Sequence, residues 1–190
     1  MSRTIFYTAT TLDGFLADDH HSLDWLLTQP IDEDGPFNYG QFIATIGAIA
    51  MGASTYEWVL DHNATSGDAW AYEQPTWVFT HRDLAIAADN VRLTAAPVAE
   101  VHAELVAAAG GQDVWMVGGG DLAAQFADAG LLDEVIVQVG SVTLGAGKPL
   151  LPRRIVSPSL QLKSAKFVGP GFAELTYAVP SAAPPSNHTS

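Results

Sequence analysis

The chain contains no cysteine, which excludes disulfides, thiolate nucleophiles and cysteine-ligated zinc or iron–sulfur centres. Bases are almost as scarce: eight Lys and Arg stand against 21 Asp and Glu, for a formal net charge of −13. A surface of that sign repels phosphate backbones and anionic lipid, so neither nucleic acid nor a membrane surface is an expected partner. An anionic ligand has to be met by backbone amides or by the few arginines. Long hydrophobic runs are missing too. The longest, Ile46–Gly52, is too short to span a bilayer, and the apolar stretch near the N-terminus is too short for a signal peptide. The expectation is a cytoplasmic protein.

What is present suits an enzyme-like core. Apolar residues make up 48% of the 190, charged residues only 15%, and there are 17 glycines. That balance favours a compact α/β fold over a helical bundle or a disordered chain. The length suits one domain, expected over residues 1–179, followed by a Pro/Ser/Ala-rich tail at 180–190 expected to be disordered.

Local patterns predict strands at Ile5–Ala9, Ala48–Met51, Thr76–Thr80, Val91–Thr94, Val114–Val117 and Leu132–Val139. Helices are predicted at Asn38–Thr45, from an N-cap at Ser54 through Leu60, at Pro97–Ala109 and at Asp121–Ala129. Glu57, three residues after Ser54, completes an apparent capping box. Thr10–Pro36 reads as a long polar loop. Leu160–Val168 and Phe172–Val179, joined by Gly169-Pro170-Gly171, read as an antiparallel hairpin. Strands alternating with helices, then a hairpin, imply a mostly parallel sheet with an antiparallel edge and helices on its faces.

The strongest local signal is Val114–Phe126, VWMVGGGDLAAQF. A buried strand runs into Gly118, Gly119 and Gly120 and then into a helix. Glycines let backbone approach a ligand, and a helix N-terminus supplies free N–H groups that suit a diphosphate. The same pattern also serves a plain tight turn. Gly118-x-Gly120-x-x-Ala123 fits a relaxed dinucleotide fingerprint, but no acid closes the following strand, so a standard doubly wound domain is disfavoured.

Other motifs fail on chemistry. His102-x-Glu104 lacks the cysteine pair of a zinc deaminase. Gly145-Ala146-Gly147-Lys148 is followed by Pro149, where a phosphate loop needs Ser or Thr. His20-His21 has no carboxylate–histidine spacing to support a metal, and no metal site is expected.

Several segments, in order, resemble the dihydrofolate reductase superfamily, most closely the branch related to the reductase domain of bifunctional riboflavin-biosynthesis proteins. They are Ala9–Ala17 (ATTLDGFLA), Met51–Glu57 (MGASTYE), Val78–Arg82 (VFTHR), Val117–Phe126 and Asp133–Pro152. The likeness spans roughly Thr4 to Val179. It implies a three-layer α/β fold, with a mostly parallel central sheet and an antiparallel C-terminal hairpin, and NADPH lying across the sheet. By position, Ala9 faces the nicotinamide carboxamide. Gly52, Ser54 and Thr55 face the diphosphate. Thr80, His81 and Arg82 surround the adenosine 2′-phosphate. Val117, Gly118, Gly119, Gly120, Asp121 and Leu122 wrap the diphosphate from the other side.

There are departures from the pattern. Ala53 stands where the family often has an arginine, and Asp121 where dihydrofolate reductases proper carry one. The substrate-side helix, Asn38–Phe42, has no acid for a pterin, with only Asp34 upstream. These point away from folate. The resemblance implies an NADPH-dependent reductase of a small pterin- or pyrimidine-like heterocycle. Asp13 is the leading proton donor, or else a turn residue before Gly14; Asp24 and Asp34 are second choices. A dedicated 5-amino-6-(5-phosphoribosylamino)uracil reductase would need a cationic pocket, for which Lys148, Arg153 and Arg154 are the clustered bases. A non-catalytic NADPH-binding module is the remaining alternative. Relatives in this branch are commonly dimers, so a homodimer is an expectation by analogy.

Overall fold

A computed structural model describes residues 2–29 and 39–180. In chain order the elements are β1 (Thr4–Thr11), β2 (Phe15–Ala17), α1 (Asp24–Leu27), α2 (Tyr39–Ile43), β3 (Ile46–Gly52), α3 (Ala53–Ser66), β4 (Thr76–Phe79) and β5 (Val91–Thr94). There follow α4 (Val98–Ala108), β6 (Asp113–Gly118), α5 (Gly120–Asp128), β7 (Glu134–Gly140), β8 (Lys148–Pro149), β9 (Gln161–Phe167) and β10 (Phe172–Ala178).

Eight strands form one sheet in the order β5-β4-β3-β6-β1-β7-β10-β9, and β2 pairs with β8 in a small separate ladder. The six strands from β5 to β7 run parallel, and β10 lies antiparallel to both β7 and β9. This is the dihydrofolate-reductase-like architecture.

The central strands are apolar on both faces because both are covered. Successive side chains point to opposite sides of a sheet. Phe6, Ala48, Ala50, Val114 and Met116 therefore pack with Leu105 of α4 and Phe126 of α5. Their neighbours Ile5, Tyr7, Ile49, Met51 and Trp115 pack on the other face with Tyr56 of α3. No helix among the described residues is long and apolar enough to cross a membrane.

The structure corrects several expectations. Thr10–Pro36 is not one loop: β1 continues to Thr11, and β2 and α1 follow. A four-residue helix and a three-residue strand are too short to show a period. Ser54 is not an N-cap. Gly52, extended at φ −81 and ψ 161, occupies that place with no side-chain cap, and α3 runs on to Ser66. The capping box does not form, and Glu57 instead holds Arg82. Thr80 lies just past the end of β4, and Gly120 already begins α5. The proposed tail from 181 onward, together with Asp34 and Asn38, lies outside the described residues.

Candidate active site at the strand ends

Parallel strands open a crevice beyond their C-terminal ends. Here β1, β3 and β6 end on Ala9–Thr11, Gly52 and Gly118, and two cavities lie beyond them. The first, the ring-walled cavity of about 530 Å³, is bounded by Tyr7, Ala9, Trp115, Val117 and Gln138 from the sheet, by Trp58 of α3 and by Lys148 of β8. The second, about 550 Å³, is a groove bounded by Thr80, His81, Thr94, Pro97, Leu122 and Gln125. Ser54, Thr55, Gly119 and Asp121 border both, so the two spaces meet between the first turns of α3 and α5.

The junction is made of backbone. Neither α3 nor α5 has a side-chain cap, and the N-caps of both are glycines, Gly52 and Gly119. Gly119 has φ +91, where L side chains are strained, and nothing lies within 3.7 Å of where a Cβ would point. Gly120 answers to a different constraint. A Cβ there would lie 2.3 Å from the Pro149 carbonyl oxygen and 2.4 Å from that of Leu150. One glycine leaves space beside the junction, and the next lets the β8 segment press against the start of α5. Gly118 lies against the Thr55 side chain, which fixes α3 to the end of β6.

The first cavity is walled by rings. Phe42 lies 4.2 Å from Tyr7 and 5.4 Å from Trp115, centroid to centroid, and Tyr39 and Tyr72 sit edge-on to Trp115 at 6.0 and 5.7 Å. The Trp115 indole donates to the Tyr7 carbonyl, which fixes its plane. Polar groups are few. Gln138 Nε2 donates to Tyr7 Oη at 3.2 Å and to Glu174 Oε2 at 3.3 Å. Burial, reinforced by the negative charge of Glu174, pushes the Tyr7 hydroxyl far above the usual phenol range, so it stays an O–H donor.

The residues singled out from sequence fall into three groups. Ala9, Ser54, Thr55, Val117, Gly118, Gly119, Gly120 and Asp121 border the first cavity, while Gly52, Thr80, His81 and Leu122 border the groove. Arg82 borders neither cavity. Its guanidinium is held by Glu57 in two hydrogen bonds of 2.9 and 2.7 Å, an exposed pair at the groove's outer side.

Asp13 is apart from both cavities. Its carboxylate accepts the Thr11 hydroxyl at 2.5 Å and the amides of Leu144 and Gly145 at 3.1 and 2.7 Å. The Thr11 hydrogen bond first, then the two amides, hold its carboxyl below the usual range. A group kept ionised and clamped to a neighbouring loop is poorly suited to donate a proton. Asp24 begins α1 and lines neither cavity.

The three clustered bases also separate. Lys148 borders the cavity, whereas Arg153 is bound to Asp128 at 2.7 Å and to Asp121 at 3.5 Å. Sequence reasoning missed Tyr7, Gln138 and Glu174. They lie on three strands and meet only through the β1-β7-β10 pairing.

Comparison with known proteins agrees with this geometry. The chain is 30% identical over 168 residues to the uncharacterized protein YwjB of Bacillus subtilis (strain 168), spanning 88% of this chain and 92% of that one. It is 25% identical to YyaP of the same organism, over 92% and 94% of the two chains. A crystal structure of a Shewanella sp. PV-4 protein, provisionally assigned to riboflavin biosynthesis, superposes with a TM-score of 0.77 at 24% identity, covering 94% of this chain and 99% of that one. A Thermotoga maritima diaminohydroxyphosphoribosylaminopyrimidine deaminase/5-amino-6-(5-phosphoribosylamino)uracil reductase superposes at 0.63 with 17% identity, covering 94% of this chain but 57% of that longer one. Residues 58–173 match the model of the RibD C-terminal domain, and the chain belongs to that family of reductase-type domains.

Proposed function

We propose that this protein is an NADPH-dependent reductase of a small heterocycle. The observation that carries the reading is the junction of the two cavities, where the uncapped starts of α3 and α5 meet and Gly119, at φ +91, borders both spaces. Unsatisfied N–H groups at helix starts favour phosphate, and here two such starts flank one gap. The fit is of the right kind for a dinucleotide, with diphosphate at the junction, adenosine in the groove and nicotinamide against Ala9 in the ring-walled cavity.

When bound, NADPH supplies a hydride from its nicotinamide ring. The chain's own task is then to position, exclude water and stabilise. Gly52–Thr55 and Gly118–Leu122 would hold the diphosphate through backbone amides, and Thr80 and His81 would border the adenosine. Arg82 would have to leave Glu57 to meet a 2′-phosphate. An exposed ion pair is worth only about 0–1 kcal/mol, so that exchange costs little. Tyr7, kept protonated and oriented by Gln138, offers an O–H to an acceptor atom of the substrate. Its high pKa suits a hydrogen-bond donor rather than an acid, and the proton that balances the hydride comes from water at the cavity mouth.

Titration with NADPH, followed by tryptophan fluorescence, tests the reading. A micromolar dissociation constant, about 8 kcal/mol, is expected. Absence of both quenching and heat at millimolar NADPH removes it.

A further inference from the structure

We infer that the substrate of this cavity is a flat, uncharged one- or two-ring heterocycle carrying no phosphate or carboxylate. The inference rests on the reading of the site as a reductase and names the substrate class it takes.

A census of cations carries the argument. The chain has eight Lys and Arg, and all eight are described. Arg3 pairs with Asp113 and Glu134 at the opposite, N-terminal edge of the sheet. Arg82 is held by Glu57, Arg92 lies over the Trp77 ring, and Arg153 is held by Asp128 and Asp121. Lys163 and Lys166 belong to the edge strand β9, where Lys166 is held by Glu174 at 3.6 Å, and Arg154 is absent from the cavity lining. Lys148 borders the ring-walled cavity. Its main chain sits at the junction end, because Pro149 beside it packs against Gly120. No other Lys or Arg among the described residues borders the cavity, so the ring-walled end has no second cation to offer.

No free cation stands behind that end either. Glu174, its side chain only 15% exposed, stands behind Gln138 and Tyr7 and already takes Lys166 as its counter-ion at 3.6 Å. A phosphate monoester brings about −1.5 to −2 charges. Placed here it would lose its hydration with no free counter-ion beside it. A neutral planar ring has the opposite fit. Tyr7, Tyr39, Tyr72 and Trp115 offer ring faces and edges, and Tyr7 Oη with Gln138 offers one polar edge to a ring nitrogen or carbonyl.

The test is calorimetric titration of the full chain, alone and saturated with NADP⁺, with 6-hydroxymethylpterin and with its phosphate monoester. The neutral ring is expected to bind at least about tenfold more tightly than the ester in both states. Tyr39→Ala, at a position 41% exposed and so tolerant of change, is expected to weaken the neutral ring roughly three- to tenfold while leaving NADP⁺ affinity within about twofold. Lys148→Met is expected to leave the neutral ring unaffected. Equal or tighter binding of the ester, especially if lost in Lys148→Met, reveals a phosphate subsite and overturns the inference, as does failure of both probes to bind. Failure of NADP⁺ to bind, with the preference for the neutral ring intact on the free chain, overturns the reductase reading and leaves the ring specificity standing.

Discussion

The two cavities have similar volumes, about 530 and 550 Å³, but are built of different material. The first is lined by rings, of which Tyr7 and Trp115 are buried and fixed by packing and by the Trp115 and Gln138 hydrogen bonds. The groove is lined by loop residues and helix starts, with Thr80, His81 and Pro97 around exposed backbone. Backbone can recognise a common charged group without any particular side chain. Shape and polarity for one substrate require side chains held by a core. The difference separates a general cofactor grip from a specific substrate pocket.

The sharpest way to break that division is at two adjacent glycines. Gly119→Val forces a branched residue into φ +91 and projects it toward the junction. Losing about two charged hydrogen bonds to the diphosphate should weaken NADPH at least about 100-fold. Circular dichroism should still show a folded chain. Gly120→Ala should act in the opposite way, destabilising the fold by about 1–3 kcal/mol through contact with the Pro149 and Leu150 carbonyls. If thermal melts and cofactor titrations show the two effects exchanged, the assignment of open space to Gly119 is wrong.

A smaller effect is expected within the ring-walled cavity. Tyr7→Phe removes one hydroxyl from the polar edge and should lower kcat by about tenfold. KM for NADPH should not change, because the hydroxyl is not part of the junction. A rise in that KM with kcat intact would move Tyr7 to the cofactor side.

Arg82 sharpens the groove's half of the comparison. Because Glu57 already holds it, Arg82→Ala should weaken NADPH by only about five- to tenfold and NADH by less than about twofold. Glu57→Gln frees the guanidinium and should strengthen NADPH a few-fold, roughly the value of one exposed pair. Equal losses for both cofactors in Arg82→Ala would assign the residue to structure alone.

The smallest effect belongs to Asp13, outside both cavities. Its folded pKa is held below the ordinary value of 3.8, so the carboxylate stabilises the fold above that pH and the contribution is lost as pH falls through the folded value. Asp13→Asn should therefore lower Tm slightly near neutral pH, and the gap from wild type should close as pH falls through the folded value. NADPH turnover in this variant should stay within about twofold. Loss of nearly all activity with Tm unchanged would restore Asp13 as the proton donor.

These outcomes track what the sequence could and could not reveal. The triple glycine was legible because strand, turn and helix are consecutive in the chain. Its flanking strands and the terminal hairpin were legible for the same reason. The Ser54–Glu57 spacing suggested a cap, but the helix begins at Ala53 and Glu57 turns outward to Arg82, 25 residues away. A pattern within four residues cannot show a competing partner brought close by a parallel pairing. The ring-walled cavity was least legible, since Tyr7 and Trp115 meet only because β1 lies beside β6. Trp115 and Trp58 both line it, though no sequence motif could specify either as a wall.

The position of β1 between β6 and β7 has a consequence during synthesis. The first of the described strands to be made lies inside the finished sheet, and its partner on one side, Val114 opposite Thr4, is translated about 110 residues later. At a ribosomal rate of about 5–20 residues per second, the apolar segment around Ile5–Tyr7 waits roughly 5–20 seconds for a neighbour. The later hairpin is local by comparison, β9 and β10 being joined by a short turn. Closing the sheet therefore depends on long-range contacts, which slow folding relative to helical domains of equal size. The strand that gives the active site Tyr7 and Ala9 is thus the segment most in need of protection before the chain is complete.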